Sequence, residues 1–141
     1  MKKYEILPHP AELRLRIYGK TIEELFSSAT EAMAQILSPT AMKSELRIKN
    51  LELRIKLKSI DINSLLVDFL SEILAKSQIN KCVYLVVSSK YKVVREKHEF
   101  QAELTKYPVE KFDEDIKAIT YEDLDIKKIK GIWLTNLVFD I

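Results

Sequence analysis

Ile62, Leu65, Leu66, Phe69, Leu70, Ile73 and Leu74 fall at i, i+3, i+4, i+7, i+8, i+11 and i+12. Only a helix puts all seven on one face, and that face has to be covered by something else in the chain. Asp61 stands in front of the run as an N-cap. A second stripe has the same period: Ile22, Leu25, Phe26, Ala29, Ala32, Met33, Ile36 and Leu37. Thr21 and Glu24 read as a capping box ahead of it, and Ser38-Pro39-Thr40 stops it, which predicts a helix over 21–37. Two amphipathic helices of this kind need a third apolar surface.

The remaining chain supplies that surface with a period of two. Tyr4 to Leu7 reads as a short strand broken by Pro8-His9-Pro10, since proline fixes φ and lacks a donor. Leu13, Leu15 and Ile17 then alternate with Arg14 and Arg16, as in a strand with one buried face, and Tyr18-Gly19-Lys20 ends it. Leu46 and Ile48 alternate, as do Leu51, Leu53, Ile55 and Leu57, with a one-residue slip at Lys49-Asn50 that a bulge or tight turn repairs. Val83 to Lys90, Val93 to Leu104, Ala118 to Tyr121, Leu124 to Ile129 and Trp133 to Phe139 have strand composition. Ser88-Ser89-Lys90, Tyr107-Pro108, Phe112 to Asp115 and Lys130-Gly131 read as turns. The order β-β-α-β-α-β-β-β-β-β predicts an α+β fold, a single domain over 1–141 with two amphipathic helices packed on a mostly antiparallel β-sheet.

Composition removes several function classes. Gly19 and Gly131 are the only glycines, so no glycine-rich phosphate loop can form. The chain has 23 basic and 21 acidic residues, a net charge of +2. That balance gives no large steering field and disfavours tight direct RNA binding, while remaining compatible with a local basic patch. Cys82 is the one cysteine and reads as a buried structural thiol, which points to a reducing, cytoplasmic setting. The N-terminus lacks an apolar signal segment and no run approaches a membrane span, so neither is expected. With one cysteine and two distant histidines no zinc cluster fits. Ser27-Ser28 lie in a helix pattern, not on a nucleophile elbow.

Four words of the sequence occur together. They are Tyr4 to Leu13, containing His9-Pro10-Ala11-Glu12; Ile17-Tyr18-Gly19-Lys20-Thr21 running into the first helix; Lys117-Ala118-Ile119-Thr120-Tyr121; and Trp133 to Ile141, ending Asp140-Ile141. In this order and at these separations they resemble the archease family. Its members open with a His-Thr-Ala-Asp word before a strand, turn through Gly-Lys/Asp-Ser/Thr into a helix, carry Lys-Ala-x-Thr-Tyr late, and stop at or near Asp-Ile.

The resemblance implies an accessory protein, not an enzyme. Its partner would be an RtcB-type RNA ligase in tRNA splicing, whose guanylylation and multiple turnover it promotes. tRNA would be met indirectly or through the ligase, and no membrane is involved. It also implies a divalent cation, calcium in the first place with magnesium or manganese as alternatives, held by Glu12, Asp140 and Ile141. The first word departs from the family pattern: Glu12 replaces Asp and Pro10 replaces Thr. Glutamate keeps the charge and the hard oxygens but adds a methylene, which the flexible coordination of calcium accepts more readily than the octahedron of magnesium.

The residues themselves leave alternatives open. Asp140, the carboxylate of Ile141 and Glu12 would repel one another unless a hard cation sat among them; Asp140 and Glu12 are equally compatible with solvated positions. His9 suits a ligand, a proton shuttle or a hydrogen bond that shapes its turn, and His98 reads as a surface residue. Arg14, Arg16 and Lys20 suit a solvated face or a surface that contacts a partner or RNA. Two other functions compete with the ligase activator. One is a chaperone-like or RNA-associated binding module that modulates tRNA-modifying enzymes. The other is a metal-dependent hydrolase, for which no base is evident beyond His9.

Overall fold

The structure, a computed structural model, describes residues 1–7, 11–42 and 51–141. The expected phase slip at Lys49-Asn50, the strand residues Leu46 and Ile48, and His9 lie outside the described residues.

Eight strands and three helices are seen among the described residues: β1 (Tyr4–Leu7), β2 (Glu12–Gly19), α1 (Ile22–Leu37), α2 (Pro39–Met42), β3 (Leu53–Ser59), α3 (Ile62–Asn80), β4 (Cys82–Val94), β5 (Lys97–Pro108), β6 (Ala118–Thr120), β7 (Lys127–Ile129) and β8 (Ile132–Asp140). The α+β expectation holds. All pairings are antiparallel, but the strands divide between two sheets. The first runs β1-β2-β8-β6, with β7 also on β8; the second runs β3-β5-β4. In the first sheet β2 pairs along nearly the whole of β8, so β6 and β7 share its other edge, one at each end.

The two long helices join the sheets. α1 packs on β2 and β8 of the first sheet and on β4 of the second; α3 packs on all three strands of the second and on β6 of the first. This explains why α1 buries more than its apolar stripe. Ser28, Thr30 and Ala34 are also buried, because a helix with a sheet on two sides has little face left for water. Thr30 is satisfied by donating from Oγ1 to the Phe26 carbonyl at 2.8 Å. At the centre, Phe26 of α1, Phe69 of α3 and Phe100 of β5 lie with ring centroids 4.5–5.8 Å apart.

Local chemistry fixes the helix starts. Thr21 accepts from the Glu24 amide at 3.1 Å, and the Glu24 carboxylate accepts from the Lys20 amide at 2.7 Å, one residue earlier than the usual box partner. Asp61 accepts from the Ser64 amide at 2.7 Å. At the far end of α3, Lys81 closes the helix in the left-handed region, φ 52°.

The expected turn at Ser88-Ser89-Lys90 is absent. β4 runs through it to Val94, with a bulge between Val86 and Ser88. The reversal comes at Arg95-Glu96, both with positive φ (51° and 65°), the geometry of a two-residue hairpin turn. Lys130-Gly131 turns as expected, with φ 51° and 80°. Cys82 is buried, and burial pushes its thiol pKa up. Among the described residues, no helix is long and apolar enough to cross a membrane.

Candidate functional site

β2 and β8 come from opposite ends of the sequence, and the alternation of both makes them partners. Leu15 and Ile17, with Leu137 and Phe139, face the core and are completely buried. The other phase of each strand therefore faces outward, and the register sets Glu12 directly opposite Asp140, Arg14 opposite Val138 and Arg16 opposite Asn136. Directly opposed residues share a face, so Glu12 and Asp140 stand side by side at one end of the sheet. β6 supports Asp140 from the other side: Ala118 is its partner and the Lys117 amide donates to its carbonyl at 2.7 Å. Ile141 follows as the chain leaves this row, packed against the core.

Arg14 organises this end of the molecule. It donates from Nε to Glu12 Oε1 at 2.8 Å, and its Nη2 lies 2.7 Å from the same oxygen. Nη2 also bonds Glu122 at 3.0 Å, and Nη1 bonds Asp123. The Glu12 carboxylate, then Asp123, hold the guanidinium pKa above its ordinary value. To reach residues 122 and 123 beyond β6, the Arg14 side chain has to pass over β8 at Val138. Val138 is accordingly 1% exposed although it points away from the main core.

The loop after β6 is held for this contact. Thr120 Oγ1 donates to the Val138 carbonyl and accepts from the Glu122 amide. The Ile126 amide donates to Asn63 Oδ1 at the start of α3. Asp123 sits at φ 56°, a left-handed conformation that aspartate tolerates. Glu122 and Asp123 are site residues that the sequence reading missed; the only pointer was the Lys117 to Tyr121 word immediately before them.

The candidate residues are thus partly brought together. Glu12, Asp140 and Ile141 share one end of the first sheet, with Arg14 as the counter-charge to Glu12. Arg16 bonds Asn136 Oδ1 at 3.3 Å, two rows further along. Lys20 lies past the opposite end of β2, eight residues from Glu12, or roughly 26 Å at strand rise. Four carboxylates (Glu12, Glu122, Asp123 and Asp140) against Arg14 leave this end acidic. The donors are all hard oxygens, the chemistry of a calcium- or magnesium-type ion. A carboxylate has about four lone-pair positions, so pairing with Arg14 is compatible with a cation at Glu12. Among the described residues, no group of three or more His, Cys, Asp or Glu side chains is disposed to hold a metal ion. A cation here would need main-chain oxygen as well as the Glu12 and Asp140 side chains.

Comparison with known proteins assigns the chain to a family. Residues 4–141 match the model of the archease protein family. Protein archease of Methanosarcina mazei is 35% identical over 146 residues, spanning 99% of this chain and 97% of that one. Protein archease of Pyrococcus furiosus is 34% identical with both chains covered completely. Two solved structures share the fold: Methanobacterium thermoautotrophicum protein 1598, at TM-score 0.76, 23% identity and full coverage of both chains, and an archease from Thermotoga maritima, at TM-score 0.56, 15% identity and coverage of 96% and 94%. The match to the family over nearly the whole length, together with the pairing of the opening Glu12 word to the closing Asp140-Ile141 word, shows that the chain belongs to the archease family.

Proposed function

We propose that this protein is a non-enzymatic activator of an RtcB-type RNA ligase in tRNA splicing, and that the acidic end of its first sheet carries the activity. The observation that supports this reading is the register that sets Glu12 opposite Asp140, with Ile141 next in line. Glu12, Asp140 and main-chain oxygen of Ile141 would hold a divalent cation, calcium before magnesium or manganese because of the longer Glu12 side chain. When bound, such an ion supplies a hard positive centre among oxygens that otherwise repel one another.

The chain's own residues do the rest. Arg14 anchors the Glu12 carboxylate and ties it to the Glu122-Asp123 loop, so the acidic end is presented with little freedom to rearrange. β6 and β2 fix the Asp140 backbone from both sides. An accessory acts by favouring one state of its partner, and a preorganised acidic end is suited to select the ligase conformation competent for guanylylation.

The test is multiple-turnover ligation of split tRNA by the cognate ligase with and without the protein. Asp140→Ala is expected to abolish stimulation while leaving the thermal melt unchanged, because Asp140 is exposed. A variant that stimulates as well as the parent protein sinks the reading.

A further inference from the structure

The outward face of the second sheet has a different character. Phe100, Ala102 and Leu104 of β5 are buried, so Glu99, Gln101 and Glu103 point away from the core. The register then places Arg54, Ser88 and Glu103 in one row, Lys56, Lys90 and Gln101 in the next, and Lys58, Lys92 and Glu99 in the third. These three rows carry five cations and two carboxylates, a local net charge of 5 − 2 = +3 in a chain whose total is +2. Arg54 and Ser88 both approach Glu103, at 3.6 and 3.5 Å, which concentrates the remaining positive charge around Gln101. The bulge at Val87 bends β4, and a groove of about 360 Å³ runs between Arg54, Lys56, Ser88, Lys90, Gln101 and Glu103.

We infer that this groove is a binding surface for the phosphate backbone of single-stranded RNA. Its makeup favours a polyphosphate over a protein partner. All nine outward residues of the three rows are charged or polar, whereas the centre of a protein interface is depleted of Lys and Glu and enriched in aromatic groups. Lysine is a point charge that meets phosphate oxygens without a fixed orientation. Outward residues along a strand repeat every ~6.6 Å and alternate strands lie ~9.6 Å apart, so the cations form a grid on which successive phosphates of an extended strand can be neutralised. With no aromatic side chain in the rows to stack a base, binding would be indifferent to sequence and steeply salt-dependent. The surface lies on the other sheet from Glu12 and Asp140, and the inference does not rest on ligase activation.

Fluorescence anisotropy of a labelled uridine oligomer of ~20 nucleotides tests it, with polyglutamate of similar length as competitor. The variant Lys56→Gln/Lys90→Gln/Lys92→Gln takes the net charge from +2 to 2 − 3 = −1. The variant Lys127→Gln/Lys128→Gln/Lys130→Gln makes the same change on the exposed β7 hairpin and serves as control. The groove variant is expected to bind at least about tenfold more weakly, with the slope of log K against log salt reduced in magnitude by about 2, or 0.7 for each of three phosphates. The control and Asp140→Ala should bind like the parent protein. All substituted lysines are exposed, so unchanged melts are expected for both triple variants. Equal loss in both triple variants, no measurable RNA binding by the parent, or displacement by polyglutamate as effective as by unlabelled RNA would each overturn the inference.

Discussion

Gly19 closes β2 just before α1, and its φ lies outside the left-handed range that usually calls for glycine. Space is the reason it has no side chain. A Cβ at this position would lie 2.3 Å from the Leu25 nitrogen, 2.8 Å from the Leu25 Cα and 2.9 Å from the Glu24 carbonyl carbon. All three are backbone atoms in the first turn of α1, so no rotamer change can clear them. Restoring ordinary contact at 3.4 Å requires a shift of 3.4 − 2.3 = 1.1 Å between the strand end and the helix. Leu25 and Phe26 are completely buried on that helix, and overpacking of this type costs about 1–3 kcal/mol, more when backbone has to move. Gly19→Ala is therefore expected to lose about 2–4 kcal/mol, and at about 3 °C per kcal/mol its melting temperature should fall by ~6–12 °C. Gly131→Ala is the internal comparison. Gly131 has φ +80° with nothing within 4 Å of the added Cβ, so only the left-handed penalty of about 1–2 kcal/mol applies. Both melts can be followed by far-ultraviolet circular dichroism. A Gly19→Ala protein that melts at or above Gly131→Ala would refute the close-approach explanation.

Three further outcomes follow from the packing. Phe69→Ala removes the ring that touches both Phe26 and Phe100 and should destabilise by about 3–5 kcal/mol in chemical denaturation. Glu96→Gly relieves a left-handed glutamate at φ 65° and should stabilise by about 0.5–1 kcal/mol, read as a rise in denaturation midpoint. Burial, helped by the Cys82 thiol, pushes the Tyr84 hydroxyl pKa up to about 12 from 10.0, outweighing the hydrogen bond donated by Asn80, which lowers it. Its folded value exceeds its unfolded one, so the stabilisation it contributes is complete below pH ~10 and is lost as pH rises towards ~12. Burial also raises the Tyr4 and Tyr91 pKa values, so tyrosinate absorbance should show Tyr84 as the last of the six tyrosines to titrate, and Tyr84→Phe should remove that last step.

The elements that could be read from sequence are those whose causes are local. The α3 stripe from Ile62 to Leu74, the Asp61 cap and the Thr21-Glu24 pair depend on neighbours three or four residues away. The β2 alternation is legible for the same reason. The Ser88-Ser89-Lys90 segment looked like a turn because its polar run follows an apolar one; in fact Ser88 and Lys90 point outward and Ser89 lies between them in a continuous strand. The real reversal uses Arg95-Glu96, residues with no special preference for positive φ, and the long strands on either side impose it. At the acidic end, Glu12 and Asp140 could be proposed as neighbours from their words, but the link from Arg14 to Glu122 and Asp123 spans 108 and 109 residues. No periodicity carries information over that distance. The basic groove was hidden similarly: a near-neutral total conceals a face where three strands superimpose their positive residues.

The position of β8 sets an order of assembly. It is the last strand in the chain, yet it lies inside the first sheet, and its bonds reach back across 120 residues to β2. The second sheet has no such dependence, because β4 and β5 are joined by a two-residue turn. During folding the hairpin can close early, whereas the β2 edge opposite β1 stays unpaired until β8 arrives. Contacts so far apart in sequence are slow to form. Glu12 meets Asp140 only in that late event, so a partly folded chain lacks the acidic end altogether.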